Sequence, residues 1–211
     1  MTLRGHVISL FPLFHMLCMA AAFFTLCYHF TVVAVFSLIF SIYLLPILCM
    51  RVHHWVSPLK EGSSNIAELH YSPWWATHQF QAVFNAIPIF DAILRLIPGS
   101  YSIWMRLWGS TIGKGVYWTP LVDITDRGLM EVGNHVIFGH KASCFSHVII
   151  HKPDKLILYV KRISIGDYVF VGAGSRIGPG ARIDDHLVLD FLTDVKINQH
   201  LKKGTPCPVG A

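Results

Sequence analysis

The sequence predicts two membrane-crossing α-helices and a set of interfacial helices, followed by a short parallel β-helix. Three observations predict it. Ile165–Phe170, Val171–Arg176 and Ile177–Arg182 read as hexapeptides, each opened by a branched aliphatic residue with glycine next. A period of six with that grammar marks short strands coiled and stacked into a continuous core. Between Arg4 and Arg51 there is no Asp, Glu, Lys or Arg, and all six tryptophans fall between Trp55 and Trp118, where one region passes into the other.

The uncharged stretch has room for two crossings of about 20 residues each. They are expected at 7–27 and 30–50, with Tyr28 and His29 in the turn. A single tilted helix would overshoot a hydrocarbon core of about 30 Å. A cleaved leader, with Ala20-x-Ala22 as its site, would still leave almost thirty apolar residues behind. A buried hairpin in a soluble core rarely avoids charge for so long. Two crossings put both ends on one side, and Arg4, Arg51 and Lys60 favour the cytoplasmic one. The expected location is therefore the plasma (inner) membrane, with the second half of the chain in the cytosol.

Residues 51–72 are polar, with Pro58, Gly62 and Ser63-Ser64-Asn65, and are expected as a connecting loop. Ser72-Pro73 then starts a helix, with Phe80, Val83, Phe84 and Ile87 at helical spacing. Pro88 restarts it, Pro98-Gly99 stops the second segment, and a third covers about 101–108. The tryptophans, with Arg95, Arg106 and Lys114 set to meet phosphates, predict amphipathic helices in the headgroup layer over 73–108. Packing of these helices against protein is the competing expectation.

From residue 111 to 211 the coil pattern governs. Ile112–Tyr117 is one hexapeptide, followed by an irregular stretch holding Asp123 and Asp126. Three units follow in 132–149, a break at 150–164 is expected to be a loop insertion, and 165–182 supplies three more. Eighteen residues make one three-sided coil with the aliphatic residues inward. Asp190–Ala211 is expected to cover an end or fold back along a face.

The net charge of +5 is diffuse, which suits an anionic leaflet and excludes a nucleic-acid surface. Cys18, Cys27, Cys49, Cys144 and Cys207 form no CxxC pair, so neither a zinc ribbon nor a disulfide framework is expected.

On these residues the stretch 112–211, about half the chain, resembles the hexapeptide-repeat acyltransferases of the left-handed parallel β-helix type. More closely it resembles the membrane-linked C-terminal module of nonribosomal-peptide-synthetase-like proteins of the polylysine-synthetase type. The matching stretches are Ile112-Gly-x-Gly-Val116, Asp123-Ile-Thr-Asp126, Val132-Gly133, Ser146-His147, Ile165-Gly-Asp167 and the closing Gly204-Thr-x-x-x-x-Gly210. In the broad family a histidine ends one coil just before the chain leaves the prism, and His147 holds that place. The resemblance implies that His147 is the general base, for which the near-neutral titration of imidazole is suited. His151 is the second candidate. The carboxylate that orients the base is open among Asp123, Asp126, Glu131 and Asp154; Asp126 and Asp123 match the closer pattern, and a turn role fits either as well.

The resemblance further implies an acyl-coenzyme A donor, most often acetyl, lying between prisms of a homotrimer. Gly172, Ala173 and Gly174 would give its pantetheine arm a smooth wall, and corner geometry accounts for the glycines equally. Arg182 and Lys202, with Lys203, would meet nucleotide phosphates. The reading is a membrane-anchored acyltransferase acting on a hydroxyl or amine of a glycan, lipid or amine acceptor, with no metal. Two alternatives stand beside it. His135, His140, His147 and His151 crowd into seventeen residues, and three of them on adjoining subunits would hold zinc as in gamma-class carbonic anhydrases. Or the repeat is a membrane scaffold that only trimerises.

Overall fold

A computed structural model describes residues 2–68 and 70–203. The chain divides into two compact units, 1–60 with 68–86, and 61–67 with the residues from 87 onward.

The first unit is helical. Helices α1 (Leu3–Ser9) and α2 (Phe11–Tyr28) form one apolar run, and α3 (Val32–Ile39) and α4 (Leu45–Val56) form another. Thr2 and Thr31 start the two runs, their hydroxyls accepting the N–H of Gly5 and Ala34, each at 3.2 Å. The runs Leu3–Tyr28 and Val32–Val56 are each long and apolar enough to cross a membrane. A widened π-turn, Phe40–Leu44, separates α3 from α4. Its cause is Pro46, which has no N–H to donate. The N–H of Leu45 turns to the carbonyl of Phe40. The carbonyl of Ser41 instead accepts from His15 Nε2 at 2.9 Å, a buried bond between the two runs. A polar ring among apolar helices is tolerable there because it satisfies a carbonyl the proline stranded.

Helix α5 (Pro73–Ala86) starts where Ser72-Pro73 predicts. It does not lie half-exposed in an interface. Trp74, Ala76, Phe80, Val83 and Phe84 are buried with Thr77, Gln79 and Gln81, on more than one side of the helix, and it packs on α1, α2 and α4. Nor are the tryptophans a headgroup belt. Trp74, Trp104, Trp108 and Trp118 are buried core residues, and Trp55 is the one that stands almost fully exposed.

The second unit opens with β1 (Gly62–Asn65), inside the expected connector. Helices α6 (Ile89–Leu96) and α7 (Ser100–Trp108) follow, and Gly109, at φ +110°, ends α7 in the left-handed region that only glycine enters cheaply. Helix α7 packs Trp104, Met105 and Trp108 beside the first coil. The indole of Trp118 donates to Ser102 Oγ at 2.9 Å, and Arg106 donates to the carbonyls of Ile112 and Gly113, each at 2.8 Å.

The coils are three-sided and parallel. The first holds β2 (Thr111–Ile112), β3 (Tyr117–Trp118) and β4 (Asp123–Ile124). The second holds β5 (Met130–Val132), β6 (Ile137–Phe138) and β7 (Ser143–Cys144). Then β8 (His147–Lys152) and β9 (Lys155–Val160) form an antiparallel hairpin, with β1 antiparallel on β9. The expected loop at 150–164 is therefore mostly a hairpin. Coil three holds β10 (Ile163–Ile165), β11 (Phe170–Val171) and β12 (Arg176–Ile177). Coil four holds β13 (Arg182–Ile183), β14 (Val188–Leu189) and β15 (Asp194–Val195), and β16 (His200–Leu201) starts a fifth. Residues 190–203 thus continue the coiling instead of folding back; Cys207 and the closing stretch Gly204–Gly210 lie outside the described residues.

Three inward columns make the core. They are Ile112–Val132–Ile165–Ile183–Leu201, Trp118–Phe138–Val171–Leu189 and Ile124–Cys144–Ile177–Val195. Each fully buried large side chain contributes roughly 1.5–3 kcal/mol. The outward columns differ in character. The first face (β2, β5, β10, β13, β16) shows Thr111, Glu131, Ser164, Arg182 and His200. The second (β3, β6, β11, β14) shows Tyr117, Ile137, Phe170 and Val188, an exposed apolar ladder. The third (β4, β7, β12, β15) shows Asp123, Ser143, Arg176 and Asp194.

The corner between the first and second faces explains the third letter of the hexapeptide. Asn134 Oδ1 accepts the N–H of Lys114 at 2.9 Å, Asp167 Oδ1 that of Asn134 at 2.6 Å, and Asp185 Oδ1 that of Asp167 at 2.7 Å. Each acceptor thus bridges to the coil before it. The Asn134 backbone and side-chain N–H groups hold the Asp167 carboxyl below the usual range. Beside this ladder the rings of His135, Tyr168 and His186 stack with centroids 5.0 Å apart.

Candidate active site

Two departures from the count of six fall at one corner, between the third and first faces. From Ile124 of β4 to Val132 of β5 the chain takes two residues more than from Ile177 to Ile183. One coil later, between Cys144 and Ile165, it takes fifteen more and runs out as the β8–β9 hairpin. The first excursion carries Asp126 and the second begins with His147.

Their side chains meet. His147 Nδ1 lies 2.7 Å from Asp126 Oδ2, and the same oxygen accepts the N–H of Ser146 at 3.0 Å. Asp126 is buried and the His147 ring is half-buried. An ionised carboxylate only accepts, so the proton of this contact sits on Nδ1 and the basic lone pair on Nε2. The loop under the pair is tied down on both sides. Ser146 Oγ donates to the Leu129 carbonyl at 3.0 Å, Ser110 Oγ to the Arg127 carbonyl at 2.7 Å, and the Met130 N–H to Ser110 Oγ at 3.0 Å. Arg127, fully buried, reaches Asp91 at 2.8 Å. Burial, the largest single influence, works against its charge, and Asp91, Tyr101 and Asp123 together outweigh it and raise its affinity for the proton.

The other carboxylates lie apart. Asp123 points outward from β4, Glu131 accepts from Ser164 Oγ at 3.0 Å on the first face, and Asp154 is at the hairpin turn. His151 is on the same side of β8 as His147, exposed, and four residues of strand put it roughly 13 Å further out. His135 and His140 occupy the other two corners. Among the described residues no three His, Cys, Asp or Glu side chains gather where an ion would fit. The four-histidine cluster of the sequence is therefore spread over three corners and a hairpin.

The residues assigned to the donor are also dispersed. Gly172, Ala173 and Gly174 form the corner between the second and third faces, a face's width from His147. A Cβ on Gly172 would stand 2.3 Å from the carbonyl oxygen of Asp190, and Gly174 has φ +69°, so coil stacking accounts for both glycines. Arg182 and Lys202 are exposed on the first face, where Arg182 borders an open groove of 760 Å³ with Glu131, Asp184 and His200. On the third face a groove of 420 Å³ starts at Phe145, next to Ser146-His147, and runs over Gly178 to Val195, Lys196 and Ile197, with Arg176 and Asp194 along it. Phe145, Lys196 and Ile197 carry no motif. Only the register, which stacks Cys144 on Ile177 and Ile177 on Val195, brings Lys196 and Ile197 into one groove with Phe145.

No family model matches the chain, and no curated protein does. Solved structures do resemble it. A hexapeptide-repeat-containing acetyltransferase of Vibrio cholerae O1 biovar eltor, complexed with acetyl coenzyme A, is 17% identical over 61% of this chain and 87% of that one, at a TM-score of 0.42. A maltose O-acetyltransferase of Clostridium difficile 630 is 15% identical over 61% and 85%, at 0.40. A serine acetyltransferase of Entamoeba histolytica, isoform 3 with cysteine, is 13% identical over 83% and 75%, at 0.33. Likenesses of that size carry no argument about chemistry, which rests on the corner itself.

Proposed function

We propose that this chain is a membrane-anchored acyltransferase that moves an acetyl or short acyl group from a coenzyme A thioester to a hydroxyl or amine. The observation that carries the reading is the Asp126–His147 pair, seated where two coils in succession break the count of six. Asp126 holds the imidazole in the tautomer with Nε2 basic. Nε2 takes the acceptor's proton as its oxygen or nitrogen attacks the thioester carbonyl. The tetrahedral oxyanion collapses, the C–S bond breaks, and the thiolate leaves with the proton from the imidazolium. The products are the ester or amide and the coenzyme A thiol.

The third-face groove fits a pantetheine arm: a phenylalanine beside the base, a glycine floor and a lysine further along. Lys196, which lines this groove, offers a further cation for a phosphate beside Arg182 and Lys202. The apolar ladder of the second face supports a homotrimer, since an exposed sheet face of Tyr, Ile, Phe and Val costs less when a copy covers it. The two apolar runs, largely unburied within their own unit, support insertion in the plasma (inner) membrane with the β-helix unit cytosolic. A tether of this kind favours a lipid-linked glycan, a lipid headgroup or an acylated amine as acceptor. The left-handed coil and the narrower likeness to the polylysine-synthetase-type module belong to the same proposal.

The test is thiol release from acetyl coenzyme A by the full chain in detergent, with soluble sugars, amines and lipid-linked saccharides as acceptors. Acceptor-dependent release is expected, absent in His147→Ala with its circular dichroism unchanged. Asp126→Asn should lower kcat by roughly 10²–10⁴ with a lesser change in KM. Undiminished release by His147→Ala would sink the assignment, and no release with any acceptor would leave the scaffold reading in its place.

A further inference from the structure

Helix α6 is built inside out. Its charged residues, Asp91 and Arg95, face inward, with side chains 4% and 1% exposed. Asp91 Oδ2 receives Arg127 at 2.8 Å and Arg95 at 3.3 Å, the Tyr101 hydroxyl lies 3.3 Å from it, and Arg95 also donates to that hydroxyl at 2.7 Å. Burial, followed by the Asp91 charge, pushes the Tyr101 phenol up, so it stays a donor. The opposite side of the helix is aliphatic and bare. Ile89 is 57% exposed, Ile93 43% and Leu96 71%, at the spacing of one helical face, and Ile97, which caps the helix, is 56% exposed.

Water drives the reverse arrangement, apolar in and charged out. Charges paired inward under an aliphatic outer face are what a hydrocarbon surrounding selects. The groove beside this face, 730 Å³ between the α6–α7 turn and the first coil, continues it. Leu96, Ile97 and Ile103 line it, and Arg106 and Lys114 bring positive charge to the same groove. Arg106 is held there by the carbonyls of Ile112 and Gly113, and Lys114 is exposed.

We propose that the outer face of α6, with Ile103 of α7, seats the β-helix unit in the headgroup layer of an anionic bilayer, with Lys114 toward lipid phosphate. Three features single out lipid over protein as the occupant. The exposed face of α6 itself, Ile89, Ile93, Leu96 and Ile97, is aliphatic and carries none of the aromatic or arginine anchors of protein interfaces. The cations complement phosphate. And the same chain carries two helices long and apolar enough to cross a bilayer. The expectation that all of 73–108 lies in the interface narrows to one face of one helix and the start of the next. The proposal rests on the membrane anchoring set out under the proposed function.

Benzoylphenylalanine placed at Ile93 or Leu96 of the full chain, reconstituted in phosphatidylcholine–phosphatidylglycerol vesicles, reads the occupant directly. Irradiation is expected to give phospholipid adducts at both, severalfold above those at Lys155 on the hairpin turn. Lys114→Gln should cut the Leu96 adduct, by up to about five-fold for the one charge removed from the surface. The same probe at Phe36 of α3 tests the anchor. Lipid adduct at Phe36 with only chain-to-chain adducts, or only Lys155-level yield, at Ile93 and Leu96 overturns the docking alone. No lipid adduct at Phe36 overturns the anchoring as well.

Discussion

Asp126 and Arg127 are neighbours whose side chains leave the same excursion in different directions, one to His147 and one to Asp91. The loop that carries Asp126 is therefore held by a buried ion cluster with two guanidiniums and one carboxylate. Breaking such a cluster from one side costs more than it contributes as a pair, because the remaining charge is stranded. Asp91→Ala is expected to cost about 3–5 kcal/mol of stability, read by chemical denaturation of the β-helix unit. A loss within about 0.5 kcal/mol, as for a surface site, would show that the cluster carries no such burden. The position of His147 was legible because it precedes an interruption of the repeat. Its carboxylate was not, because Asp123, Asp126, Glu131 and Asp154 are equivalent until a fold puts one of them 2.7 Å away.

At the scale of elements, the hexapeptide grammar has two sources. The first letter is core, and at the corner between the first and second faces the third is a hydrogen-bond acceptor for the coil before it. The Asp167 carboxyl titrates below its ordinary range because it accepts the N–H of Asn134 in the folded state. Its contribution is thus complete above the unfolded carboxyl's value, about 3.9, and is lost as pH falls through the lowered folded value. Asp167→Asn keeps an acceptor oxygen and loses the titration. Thermal melting between pH 6 and pH 2 should therefore fall less steeply in the variant than in the natural chain; equal slopes would refute the ladder's role. The helices were less legible. Spacing predicted α5, α6 and α7 within a few residues, yet it could not tell which face each would turn inward. Spacing records a stripe and not its neighbour, so α5 emerged buried on several sides and α6 reversed. The expected loop at 150–164 became a hairpin for a similar reason, since pairing with β1 is a long-range contact.

For the molecule as a whole, three prism faces have three characters, and only the second is apolar along its length. If that face joins copies in a trimer, Phe170→Asp puts three charges into one contact. Sedimentation in matched-density detergent is expected to show monomers, with transfer activity lost alongside if the donor groove is shared. An unchanged oligomer would place the contact elsewhere.

The order of the regions, the absence of charge from 5 to 50 and the sixfold period were determined by sequence alone, because each is a local pattern of burial that needs no knowledge of neighbours. The meeting of Asp126 with His147, the groove that starts at Phe145, and the reversal of α6 were decided by tertiary structure. Residues eighteen or more apart become adjacent only when coils stack, and a charged pair turns inward only when an arginine from another segment, here Arg127, is waiting for it.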